Sequence, residues 1–510
     1  MNAPRKIVTG LFYTLGSTYI GRLFGLVATL WLLPRLIDPA TWGGVTLGVS
    51  IYLVLIGFKE LGLASALLHY QERLEELVPM HFLFNLLASA LCIILIILCS
   101  YLIQSGVLQL SAFSYFGRQA GDAHDHWIVA WTLFVLAIFH LLHSASITSQ
   151  TRLRARLEFK SLALIHMFGI LFSLGTAVWL AGNGFGTWAL IIGGTSAYVA
   201  HAPVYVLFTA AWIWMRQPQK IKGLQWNQVH ANLLWQYGKW FWGGWVFSTI
   251  IVEYPRIVAG TYLGWDELGY YTLAFLWAQL PTGAITHVLI GLTNPVYARY
   301  QTDRERLSLV FGKMLRLIAR TTALLGVFFF LEAERLIPLV SGSEWQPSVE
   351  LLRWLVVYAL CRPFLDDIQV LLLAVGSPRT FAKINGITMG VALVGIPLLV
   401  WQWGLQGVAI GAGLTAVLGA ALSFYWVGHY VDMEWGPAFL RPLVSMGAAV
   451  AAIVVLDGLI PATGWLSLAL RLGVETVVYL GVLLLLEGRE LYQEVRDLQR
   501  ILSSKEVGGR

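Results

Sequence analysis

The chain has 510 residues, of which 57% are hydrophobic and only 12% are charged. Soluble domains carry roughly a quarter charged residues, so a chain this apolar cannot cover a water-facing surface, and a soluble multidomain protein is excluded. The net charge is a modest +6. Nothing in the charge pattern supports nucleic-acid binding. Cys92, Cys99 and Cys361 lack the spacings of a metal or disulfide framework, so no metal or cofactor is expected.

A bilayer-spanning helix needs about 20 mostly apolar residues. In chain order, about fourteen segments qualify: 8–33, 41–67, 80–104, 127–148, 161–181, 186–215, 236–260, 268–292, 310–331, 349–375, 383–403, 406–430, 438–458 and 464–486. Arg5 and Lys6 precede the first, which is too long for a signal-peptide core. The fifth and sixth segments turn at AGNGFGT, and the eleventh and twelfth at WGLQG. Glycine tolerates the positive φ that such turns require. The last segment leads into a short charged, amphipathic tail, EGRELYQEVRDLQRILSSKEVGGR. The longest outer loop, about 105–126, is too short for a soluble domain, which leaves a membrane glycan polymerase or ligase a remote reading and predicts a protein that is not an enzyme.

Orientation follows from the Lys and Arg of the short loops. With the amino terminus inside, the inner side receives Arg152, Arg154, Arg156, Lys160, Lys220, Lys222, Arg304, Arg306, Arg379 and Lys383 among others. The outer side receives Arg35, Arg118 and Arg335. This asymmetry predicts an even number of spans and two cytoplasmic termini.

Short stretches recur in order. RLIDPATWGGVTL (35–47) is echoed by TYLGWDELGYYTL (261–273), ERLEELV (72–78) by ERLSLV (305–310), and GFGTWAL (184–190) by LQGVAI (405–410). Their common spacing predicts two parallel six-helix repeats around a central cavity. The N-lobe would be 1–225 and the C-lobe 226–435, with two extra helices in 436–486 and a cytoplasmic tail in 487–510.

An ordered series of motifs spans nearly the whole chain: LPRLIDPATWGGVTLG, FKELGLASALL, QTRLRARLEFKSLALI, GFGTWAL, LGWDELGYYTLA, NPVYARYQTDRERL, GSEWQPSVELLRWL and LLLAVGSPRTF. In this series the chain resembles the polysaccharide transport proteins of the multidrug/oligosaccharidyl-lipid/polysaccharide exporter superfamily, the Wzx-type lipid-linked oligosaccharide flippases. The resemblance implies a two-lobed helical fold, alternating access, a bacterial cytoplasmic (inner) membrane and a polyprenyl-pyrophosphate-linked glycan as substrate. Membrane lipids and other glycan-assembly membrane proteins are the expected partners. A drug or metabolite exporter of the same superfamily is the alternative.

Ionisable residues inside spans are costly and tend to face an interior or a wet cavity. The candidate substrate-binding cations are Arg22, Lys59, Arg256 and Arg362. Arg22 has no acid within a helical turn, and its forked donors would suit a pyrophosphate; the bland alternative is a structural partner such as Glu253. Glu253 and Arg256 stand at i and i+3 and can pair on their own helix. Lys59 and Glu60 are adjacent, so only one of them is aimed at any one surface. Arg362 can pair with Asp366 at i+4, which leaves Asp367 either for a coupling proton or sodium ion or for a packing role with another helix, with Asp366, Glu253 and Glu60 as further ion-coupling candidates. His287, His140, His143, His166 and His201 are read as satisfied core residues, and the KWFWGGWVF cluster (239–247) as packing before sugar stacking.

Overall fold

A computed structural model describes residues 21, 23–59, 74–107, 126–155, 159–194, 227–280, 283, 293, 296–432, 435–457 and 464–503. All regular structure among the described residues is helical. The chain forms two compact units, Met1–Thr272 and Leu273–Arg510. The first unit therefore takes in the segment 236–260, which the repeat pattern assigns to the C-lobe.

The first unit begins with α1 (Leu23–Arg35), which passes through a π turn before a final 3-10 turn. In α2 (Pro39–Gly57) the start is fixed locally: the Asp38 side chain accepts from the Thr41 N–H at 2.9 Å, and Pro39 occupies the first turn, where no amide hydrogen is needed. Helices α3 (Leu74–Gln104) and α4 (His126–Ala155) pack side by side. Polar side chains hold them together, with Asn85 Nδ2 donating to the Ser144 carbonyl and Ser100 Oγ to that of Ala130. The next helix, α5 (Phe159–Gly182), doubles back into α6 (Gly186–Trp188, continued as a π turn over Ala189–Gly194). Helix α7 (Gln228–Val258) is capped by Asn227 and closes in a π turn, Ala259–Leu263. Gly264 then takes φ 134°, a conformation open to glycine alone, and lets α8 (Trp265–Ala278) start at once.

In the second unit, α9 (Arg304–Val340) is capped by Asp303 and is followed by α10 (Ser348–Ala374) and α11 (Pro378–Val427). Helix α11 is 50 residues long but breaks at Gly404, where φ is 55° and ψ is −129°. The break falls in the WGLQG turn and divides the helix into two membrane-length halves. An apolar core of Phe311, Leu315, Phe364, Ile368, Leu371 and Ile384 joins α9, α10 and α11. Helices α12 (Trp435–Leu456) and α13 (Trp465–Ser503) close against α9 through Ala323, Val327, Ala449, Tyr479 and Leu483. The carboxy-terminal tail is the continuation of α13 to Ser503.

Seven described helices are long and apolar enough to cross a membrane: α2, α3, α5, α9, α11, α12 and α13. The side-chain distribution of α13 shows which solvent it faces. Val477 and Leu485 are exposed, Leu485 to 87%, while Arg471, Glu475 and Glu487 are buried. A water-soluble helix has the opposite arrangement, and only a hydrocarbon surround makes this one favourable.

Candidate functional site

In the first unit the intramembrane charges gather where α2, α4 and α7 meet. Both carboxylate oxygens of Glu253 accept from Arg256 Nη1, at 2.7 and 2.8 Å, and Ser50 Oγ of α2 donates to the same carboxylate at 2.8 Å. All three residues are buried. The i, i+3 pair read from the sequence therefore forms. Its guanidinium is engaged with a carboxylate on its own helix. Ser50, which the sequence reading passed over, ties the pair to the neighbouring helix.

Lys59 sits just beyond α2 and is also buried. Its ammonium lies 3.3 Å from His140 Nε2, and His140 Nδ1 lies 3.0 Å from the Tyr52 hydroxyl. An ammonium only donates, so Nε2 accepts and Nδ1 carries the ring hydrogen toward Tyr52. His140 is the satisfied core histidine the sequence predicts, but what satisfies it is a candidate site residue. Trp242, from the aromatic cluster of α7, donates its indole N–H to the Phe58 carbonyl at 2.9 Å, again joining α7 to the end of α2. Arg22, Glu60, His287 and His201 lie outside the described residues.

At the other end of α2, the two repeated turns meet. Gly43 packs against the Trp265 carbonyl, and Gly269 packs against the Pro39 carbonyl. Gly269 follows Trp265 by the same step that separates Gly43 from Pro39, so the contact is reciprocal. A side chain at either glycine would drive into the backbone of the other helix. Asp38 and Asp266 flank this seam, and burial, then the nearby Asp38 carboxylate, push the Asp266 carboxyl above its ordinary range.

The second unit places Arg362, Asp366 and Asp367 on α10. Arg362 and Asp366 pair at 2.9 Å, as their spacing predicts. Asp367, which the Arg362–Asp366 pair leaves without a partner on its own helix, is met from elsewhere in the chain: the Tyr297 hydroxyl donates to both its oxygens, at 2.9 and 3.2 Å. Tyr297 is fully buried and distant in sequence, so no local pattern could have found it. Gln369 Nε2 lies 3.4 Å from Asn385 Oδ1, extending the polar stretch of α10 to α11. Among the described residues, no group of three or more His, Cys, Asp or Glu is placed to hold a metal. The sequence reading also missed Arg320, Glu332, Arg471, Glu475 and Glu487, a buried charged set between α9, α12 and α13. Its signal was the spacing of Arg471, Glu475 and Glu487 by multiples of four through an otherwise apolar span.

This helical, charge-bearing architecture has known counterparts. A family profile described as polysaccharide biosynthesis protein matches residues 32–350. The lipopolysaccharide biosynthesis protein WzxC of Escherichia coli (strain K12) is 22% identical over 472 residues, covering 90% of each chain. The succinoglycan biosynthesis transport protein ExoT of Rhizobium meliloti (strain 1021) is 25% identical over 326 residues, covering 63% of this chain and 60% of that one. Among solved structures, the lipid II flippase MurJ in an inward closed conformation aligns with a TM-score of 0.71 at 14% identity, covering 94% of this chain and 99% of that one. An inward-facing multidrug resistance MATE family transporter of the MOP superfamily aligns with a TM-score of 0.62 at 16% identity, covering 82% and 97%. The chain has the fold of these transporters and belongs to the polysaccharide biosynthesis protein family.

Proposed function

We propose that this protein is a flippase that carries a polyprenyl-pyrophosphate-linked glycan precursor from the cytoplasmic to the outer leaflet of a bacterial inner membrane, for O-antigen, capsule or exopolysaccharide export. The match to WzxC along 90% of both chains carries this reading, and the fold likeness to MurJ supports it. Cations of the spans would hold the pyrophosphate while the lipid tail stays in the bilayer, and the lobes would rock about the site. Arg22 and Lys59 are the leading contacts, with the carboxylate-paired Arg256 and Arg362 as further cations of the site. Asp367 is the leading candidate for a coupling proton or sodium ion. The excess of Lys and Arg in the loops on one side supports a cytoplasmic position for both termini.

The test is complementation of a strain lacking this chain, scored as surface glycan, with Arg22→Ala and Arg256→Ala variants whose membrane abundance is checked. Arg22→Ala is expected to lose export at normal abundance; Arg256→Ala is expected to lose it too, with the destabilisation from its broken pair controlled by the Glu253→Gln, Arg256→Gln double variant. Full export by both would overturn the cation clamp. Unchanged surface glycan in the deletion strain, together with new sensitivity to toxic cations, would overturn the glycan reading in favour of a drug exporter.

A further inference from the structure

Helix α13 carries Arg471, Glu475, Tyr479, Leu483 and Glu487 at successive steps of four residues, which places them in one stripe that winds about 160° round the helix from end to end. All five are buried. The inner end of the stripe is paired: Glu487 accepts from Arg320 of α9 at 2.7 Å and lies 3.7 Å from Arg441 of α12, and the Tyr479 hydroxyl donates to the Arg320 carbonyl.

The outer end is not balanced. Arg471 pairs with Asp457, at the end of α12, and lies 3.6 Å from Glu332 of α9. Arg335 of α9 reaches Glu332 at 3.5 Å and Asp457 at 3.6 Å. Glu475 lies within electrostatic reach of Glu332 and Arg471 and is fully buried. Among the described residues, neither of its carboxyl oxygens has a hydrogen-bond partner, and neither does Glu332 Oε1. Two further charges, Glu334 of α9 and Arg353 of α10, pair with each other at an exposed position. Among the described residues, three carboxyls thus face two guanidiniums at this end. Rotating Glu475 onto Arg471 would not remove the excess negative charge, because Arg471 already serves Asp457 and Glu332.

Glu475 lies about 15 Å along α13 from Trp465, near the middle of a hydrocarbon layer about 30 Å thick. An uncompensated carboxylate at that depth is neutralised rather than left charged. A metal cation would need about six oxygen ligands and would sit against Arg471. A single proton cancels the excess and supplies the hydrogen that the bare oxygens lack.

We propose that Glu475 and Glu332 form a proton-binding site between α13 and α9, in which one of the two buried carboxylates takes up a proton. The proton comes from solution, and no other bond changes. With the proton bound the like-charge repulsion between the two helices is removed at this point; without it two like charges face each other across the contact. The site stands whether or not the cargo is a glycan.

The test is infrared difference spectroscopy of the full chain in lipid nanodiscs, titrated from mildly acidic to alkaline pH. The wild type is expected to show the carbonyl band of a protonated carboxyl at neutral pH. Glu475→Gln should remove one component, Glu475→Asp should displace it, Glu332→Gln should shift its frequency, and the exposed control Glu334→Gln should leave it alone. No protonated-carboxyl band in the wild type, or a Glu475→Gln spectrum identical to wild type, would overturn the site. Loss of the component on adding sodium chloride at constant pH would replace the proton with a metal ion. If Glu475→Gln does not fold, displacement by Glu475→Asp decides, and an unmoved component there overturns the proposal.

Discussion

Glu253 shows how a charge survives in an apolar interior. Its carboxylate has a guanidinium on its own helix and a hydroxyl from the next one, so its oxygens are satisfied within the protein. Breaking such a pair leaves one buried charge uncompensated, at a cost of about 3–5 kcal/mol, whereas removing both charges costs far less. Arg256→Ala is therefore expected to lower the unfolding midpoint of the purified protein strongly, and the double variant Glu253→Gln with Arg256→Gln to recover most of that loss. If the single and double variants unfold alike, the pair does not stabilise the fold. The comparison also separates folding from transport: a double variant that folds but does not export assigns Arg256 to the cargo.

Between elements, the decisive contacts are backbone to backbone. At the α2–α8 seam the obstacle to a larger residue is a carbonyl, which cannot turn aside as a side chain can. Overpacking typically costs about 1–3 kcal/mol, and an immovable neighbour puts these positions at the upper end. Gly43→Val and Gly269→Val should each destabilise the protein in a thermal-shift measurement. Gly390→Ala in α11, where a Cβ would meet open space, should leave the midpoint unchanged or raise it.

A second link joins the start of α9 to the end of α11. Arg304 binds Asp432 with two hydrogen bonds, at 2.7 and 3.1 Å, and donates to the His429 carbonyl. These hydrogen bonds hold the Asp432 carboxyl below the usual carboxylate range. A depressed carboxyl stabilises the fold above its unfolded value, about pH 4, and that contribution fades as pH falls through the folded value. Wild type should exceed Asp432→Asn in unfolding midpoint by a small, constant margin at neutral pH, and the two should converge in acid. A margin that persists in strong acid would contradict the ion-pair account.

At the scale of the whole molecule, the loop charges make an orientation prediction. A fluorescent reporter fused after Arg510 should be bright, and a phosphatase that needs the oxidising side should be inactive there. The reverse result would invert the topology.

Much of the helical architecture was legible because the bilayer imposes a simple rule: backbone polar groups must be satisfied within the segment, so apolar length reads directly as helix. The turns at Gly184 and Gly404 were legible for the same local reason, since a positive φ asks for glycine. Neighbours along one helix were legible too, because i, i+3 and i, i+4 spacing brings Glu253 to Arg256 and Arg362 to Asp366.

Partners on other helices were not. Nothing near Asp367 in the sequence announces Tyr297, nothing near Glu253 announces Ser50, and the approach of Gly43 to Trp265 depends on helices from the two repeated stretches meeting. The balance of charge between α9, α12 and α13 is likewise a sum over three separate stretches of chain. The sequence by itself determined that this is a helical membrane protein resembling a polysaccharide transport family, because hydropathy, loop charge and ordered motifs are properties of the chain read in order. Only the tertiary structure decided which buried charges are paired and which are left over, because in a low-dielectric interior the state of a charge is set by groups a few ångströms away in space, however far they lie along the chain.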